Sequence, residues 1–122
     1  MILVDTSVWI DHLKHGDGLL QDLLESNAVV THPLVRIELA LASFANREVV
    51  LGDLALLPQA PMAQADELLD LIDVHRERLR GAGITDVHLV ASALLDHSIS
   101  IWTRDARLKE ITDELGLSAG IG

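Results

Sequence analysis

A short apolar run that stops abruptly at a carboxylate limits what this chain can fold into more than any other feature. Ile2, Leu3 and Val4 lead straight into Asp5, Thr6 and Ser7. Successive strand side chains point to opposite faces, so an unbroken apolar run suits a strand covered on both sides, as in parallel sheets. Parallel strands need helical crossovers, and the chain supplies them. "SVWIDHLKHG" reads as a short helix closed near Gly16, and residues 17–25 as another. "AVVTH" at 28–32 is a second strand. Pro33 then opens a helix through "LVRIELALASFA", with Leu34, Ile37 and Leu41 as its apolar stripe. Residues 46–57, Met62 to about Arg80, 85–98 and Ala106–Leu115 also carry helical patterns, with Thr85 the expected cap of the third. Ile99 and "SIWT" at 100–103 form a further strand. "LLPQAP" at 56–61, with two prolines, can only be an edge strand or a connection, and the last residues are expected to add another edge. The pattern predicts one domain over 1–122, a three-layer α/β/α sandwich with a central parallel sheet of four to five strands.

Composition narrows the class. Tyrosine is absent, Phe44 stands alone, and Trp9 and Trp102 are the other large aromatics, so Leu, Ile, Val and Ala must pack the core. There is no cysteine, which excludes disulfide and thiolate chemistry. No apolar run reaches membrane-spanning length and the N-terminus has no basic leader, so a cytoplasmic location and no membrane partner are expected. The net charge is −10, from 19 acids against 9 lysines and arginines. That argues against a non-catalytic nucleic-acid binder, because phosphates reward basic surfaces. It leaves room for an enzyme whose clustered acids hold divalent metal, and it suits a basic protein partner.

Four acids stand out. In open α/β sheets ligands bind beyond the carboxyl ends of the strands. Asp5 follows the first strand and Asp105 the strand of "IWTRD", which places both at one edge. Glu38 borders the apolar stripe of "VRIELAL", and Asp86 opens the apolar helix of "GITDVHLVASALL". Ordinary structural roles compete with a functional one. Asp86 suits a helix N-terminus, Asp105 an N-cap before "ARLKEI", and Glu38 a salt bridge to Arg36 or Arg47. Asp5 has no such easy explanation. Taken together, four carboxylates repel unless a cation compensates, and hard oxygen donors suit Mg²⁺ or Mn²⁺. Such a site can activate water and neutralise phosphoryl oxygens. Thr6 and Thr103 can hold a carboxylate rotamer or simply cap turns. Lys14, Arg104, Arg107 and Lys109 are the basic groups placed to meet phosphates. No P-loop is present, position 7 is serine where an aspartyl phosphatase has a second aspartate, and the six histidines lack zinc-site spacing. His88 reads as structural.

The blocks "VDTSVWIDHL", "RIELAL", "GITDVHLVASALL" and "IWTRDARL" resemble the four acidic motifs of the PIN-domain ribonucleases, and most of all the VapC toxins of bacterial toxin–antitoxin pairs. The resemblance runs from Met1 to about Leu117 and rests on the order and spacing of the blocks. It implies that Asp5, Glu38, Asp86 and Asp105 are the metal-binding acids, that Thr6 and Thr103 are their hydroxyl neighbours, and that Mg²⁺ or Mn²⁺ is the cofactor. It further implies a homodimer that cleaves single-stranded or loop regions of tRNA or rRNA. A VapB-like antitoxin with a basic C-terminal segment would restrain it. The alternatives are a catalytically silent α/β domain whose acidic cleft docks a basic peptide, and a metal-dependent DNA nuclease or phosphatase. Metal-dependent turnover of RNA separates the first from the resemblance, and a phosphoryl-enzyme on Asp5 would reveal the last.

Overall fold

The computed structural model describes residues 1–121; Gly122, the end of the expected domain, lies outside them. The N-terminal apolar run is β1 (Ile2–Val4), flanked by β2 (Val29–Val30) and β3 (Ser100–Trp102), all parallel, in the order β2–β1–β3. Ile2 pairs with Val29 and with Ser100, and Leu3 with Val30 and Ile101. Leu3 and Val4 point to opposite faces, and both are 0% exposed. Helices therefore cover the sheet on both sides, as the unbroken apolar run required.

The helices are α1 (Thr6–His15), α2 (Gly18–Glu25), α3 (Pro33–Ala40), α4 (Arg47–Leu56), α5 (Ala65–Val74), α6 (Arg76–Leu79), α7 (Ile84–Leu95) and α8 (Ala106–Leu115). Local chemistry sets their ends. Gly16, at φ 74°, closes α1 in a conformation that costs a side-chain-bearing residue strain. Asp17 caps α2 and Asp105 caps α8 through their carboxylates, and Pro33 opens α3 where its missing N–H is harmless. The most apolar helix, α7, is buried from Val87 to Ala93 and packs on β3, α3 and α5.

Several expectations need correction. Among the described residues the sheet has three strands, not four to five. Each outer edge continues by a single bridge: Thr31 with Gln59 beside β2, and Ser118 with Ile101 beside β3. Pro58 and Pro61 lack donors to extend the first, and Gly116 and Gly120, both at positive φ, turn the chain on either side of the second. The α3 stripe is also different. Val35 and Leu39 are its fully buried residues, whereas Ile37 and Leu41 are 55% and 85% exposed. "LVRIELAL" is apolar on nearly every side, so its periodicity does not select a face. The helix ends at Ala40, well short of Phe44. The long helix to Arg80 breaks at His75 (φ −113°, ψ 36°), with no proline or glycine to announce it. Thr85 lies inside α7, whose cap is Gly83. Among the described residues no helix is long and apolar enough to cross a membrane.

Candidate active site

The chain leaves β1 toward β2 on one side and returns to β3 on the other. The carboxyl end of β1 is thus the switch point where a crevice opens in such sheets. Asp5 stands there. Its amide donates to the Trp102 carbonyl at 2.9 Å, extending the ladder one residue past Val4, and its carbonyl begins α1. Its side chain makes no capping bond to α1, unlike those of Asp17 and Asp105. The carboxylate, 6% exposed, instead accepts the hydroxyls of Ser7 and Thr103 on Oδ2, each at 2.7 Å.

The other acids reach the same edge from three different elements. Glu38, exposed on α3, accepts the Thr6 hydroxyl at 2.7 Å and forms no ion pair with Arg36 or Arg47 among the described residues. Those arginines bond Gln59 and the Ala40 carbonyl. Asp105 uses Oδ1 to cap α8 at the Leu108 amide, 2.9 Å away, while its own amide donates to Thr103 Oγ1 at 3.0 Å. Asp86 sits in the first turn of α7, where that buried helix emerges from the core. Burial pushes its carboxyl up to about 6, and the charges of Asp5, Asp105 and Glu38 push the same way. All four carboxylates therefore share one field. The helix N-terminus, which alone would favour the charged form, is outweighed.

Among the described residues, no three histidine or acidic side chains converge closely enough to form a ready metal cluster. The donor chemistry nevertheless fits a hard divalent ion: four carboxylates, no nitrogen or sulfur, and mutual repulsion that a cation would relieve. Glu38 and Asp105 spend an oxygen on Thr6 and on the Leu108 amide, contacts with which a cation would compete.

The basic groups differ in their freedom. Arg104 pairs with Asp11 at 2.9 Å and with Asp17, and its guanidinium carbon lies 5.3 Å from the Trp102 ring centre. The bond from Arg104 is the main reason the Asp17 carboxyl is held below its usual range. Arg107 donates to the carbonyls of Arg78 and Arg80. Lys14 is exposed on α1 and helps line a small hollow with Ile10, Leu13 and Phe44. A separate cavity of about 190 Å³ lies between α1, α2 and α4, and none of the four acids lines it.

Behind the site, His88 is buried against His32, with ring centres 5.6 Å apart. His32 Nδ1 accepts the Leu34 amide and caps α3. Burial, aided by the charge of His88, holds His32 down at about 4. Reading the sequence alone missed Ser7 as a neighbour of Asp5. The available signal was its position: three residues past a strand end, a first-turn side chain can turn back to the carboxylate that follows the strand.

A family model of the PIN domain matches residues 2–114. Over 118 residues the chain is 47% identical to Ribonuclease VapC32 from two strains of Mycobacterium tuberculosis, covering 97% of this chain and 95% of that protein.

Proposed function

The chain belongs to the PIN-domain family, and from that premise we propose that it is a Mg²⁺- or Mn²⁺-dependent endoribonuclease, the toxin of a toxin–antitoxin pair. One observation carries the reading. Beside burial, the charges of three separate carboxylates, Asp5 just past β1, Glu38 on α3 and Asp105 at the start of α8, raise the carboxyl of Asp86 at the carboxyl edge of a parallel sheet. An ordinary fold gains nothing from that repulsion, whereas a bound cation would relieve it. Asp5, Asp86, Asp105 and Glu38 are the residues that would hold the ion. When bound, the metal would offset negative charge on the phosphoryl oxygens and lower the pKa of water, so that the water gives up a proton and attacks phosphorus as hydroxide.

The chain's own groups do the rest. Thr103 orients Asp5, and Thr6 orients Glu38. Asp105 is held by the turn that starts α8. The substrate is a single-stranded or loop region of a structured RNA such as tRNA or rRNA, whose unstacked backbone can enter an open edge. Lys14 meets its phosphates most readily, because Arg104 and Arg107 would first have to leave their present partners. A VapB-like antitoxin with a basic C-terminal segment complements the acidic edge. A homodimer in the cytoplasm completes the reading.

The test is cleavage of total cellular RNA by purified protein with Mg²⁺, Mn²⁺ or EDTA, beside Asp5→Asn. Discrete fragments that need metal and disappear in the variant are expected. Folded, metal-replete, antitoxin-free protein that cuts none of a varied set of RNAs would turn the reading to the silent docking domain.

A further inference from the structure

Asp5 is gripped by two hydroxyls, and each of them is also tied to the loop that carries Asp105. Ser7 Oγ donates to Asp5 Oδ2 at 2.7 Å and accepts the Arg104 amide at 3.0 Å. Thr103 Oγ1 donates to the same oxygen at 2.7 Å and accepts the Asp105 amide at 3.0 Å. A hydroxyl has one proton to give, so both protons are committed to Asp5, and the 3.3 Å approach of the two hydroxyls is contact rather than a further bond. The consequences are geometric. Asp5 spends Oδ2 inward on the hydroxyl pair, which leaves Oδ1 as the oxygen free of side-chain hydrogen bonds among the described residues. Consecutive amides of the Arg104–Asp105 loop hang from the same pair, so the positions of Asp5 and Asp105 are set together. Thr6, the hydroxyl immediately beside Asp5, serves Glu38 instead.

We propose that Ser7 is a positioning residue which, with Thr103, latches Asp5 to the Arg104–Asp105 loop and so sets the affinity of the acidic site for a divalent cation. The inference rests on the metal-dependent reading above and adds to it a residue and a coupling. A ligand's hydrogen-bonded support is commonly worth about 10–100-fold in metal affinity. Ser7→Ala removes one support of Asp5 and releases the Arg104 amide at the same time.

The experiment is calorimetric titration of metal-free protein with Mn²⁺, with urea unfolding run on each variant. Ser7→Ala is expected to weaken Mn²⁺ binding about tenfold or more. Thr103→Val, which keeps the shape but loses the hydroxyl, should do the same, and Thr103→Ser should restore wild-type affinity. The double variant should lose less than the product of the single losses, because either change alone already opens the latch. Should Ser7→Ala fail to fold, the Thr103 pair tests the latch from its other side. Wild-type binding with a Ser7→Ala affinity within about twofold of it overturns the latch alone. Losses in Ser7→Ala and Thr103→Val that multiply fully in the double variant overturn the coupling. Wild-type protein that takes up no Mn²⁺ overturns the metal site and the latch with it.

Discussion

Lowering the pH from 7 to 5 should drive His32 and Asp86 in opposite directions, and the difference between them can be measured. Burial, with the charge of His88, holds His32 down from 6.5 to about 4. Between those values the unfolded chain binds a proton that the folded chain refuses. The stability tied to His32 is therefore fully present above pH 6.5 and is lost as pH falls toward 4. Over the interval from pH 7 to 5 that loss is about 2 kcal/mol. His88, also held down by burial, adds in the same sense.

Asp86 behaves in the opposite way. Its carboxyl is pushed up from 3.8 to about 6, so the folded protein gains a proton before the unfolded one. Its contribution is fully present below pH 3.8 and is lost as pH rises through 6, so acidification restores it. Discounted for partial solvent screening, this returns about 1 kcal/mol at pH 5. Asp17 and Asp96 are held below 3.8 and titrate outside the interval. Urea unfolding followed by circular dichroism in EDTA should then show wild-type protein losing at least about 1 kcal/mol from pH 7 to 5, and Asp86→Asn at least about 2, with His88 adding to both. His32→Asn keeps an acceptor for the Leu34 amide and, in the Asp86→Asn background, should leave only the His88 contribution. An Asp86→Asn protein as stable at pH 5 as at pH 7 would refute the reasoning about the buried histidine.

Other perturbations probe the frame around the site. Leu3 is fully buried in the central strand, so Leu3→Ala should cost about 2–5 kcal/mol in urea unfolding, and a loss under about 1 would contradict a sheet covered on both faces. Gly116 closes α8 at φ 70°. Gly116→Ala should cost about 1 kcal/mol and Gly116→Asn less, measured the same way. Arg104→Ala removes the pairs to Asp11 and Asp17 at about 1 kcal/mol, a difference that should shrink as salt rises. An effect indifferent to salt would assign the loss to the Trp102 stack instead.

Much of this arrangement was legible in the sequence where local physics has a single solution. The run of Ile2, Leu3 and Val4 could satisfy itself only inside a doubly covered parallel sheet, and it lies there. Asp105 before "ARLKEI" could be read as an N-cap, and it is one. Where several solutions were locally equal, the reading failed. "LVRIELAL" presents apolar residues around the helix, and only packing chose Val35 and Leu39 over Ile37 and Leu41. The outer strands shrank to single bridges because whether an edge segment pairs depends on a neighbour distant in the chain.

The site divides along the same line. Sequence determined that four carboxylates and a small set of hydroxyls would exist, and the order of strands and helices determined which edge Asp5 and Asp105 would share. Tertiary structure decided which hydroxyl serves which carboxylate. Thr6 adjoins Asp5 in the chain yet turns to Glu38, while Ser7 and Thr103, 96 positions apart, meet on one oxygen of Asp5. Hydrogen bonds are short and directional, so partnership depends on where side chains point in space, and that is known only once the sheet has brought β1 and β3 together.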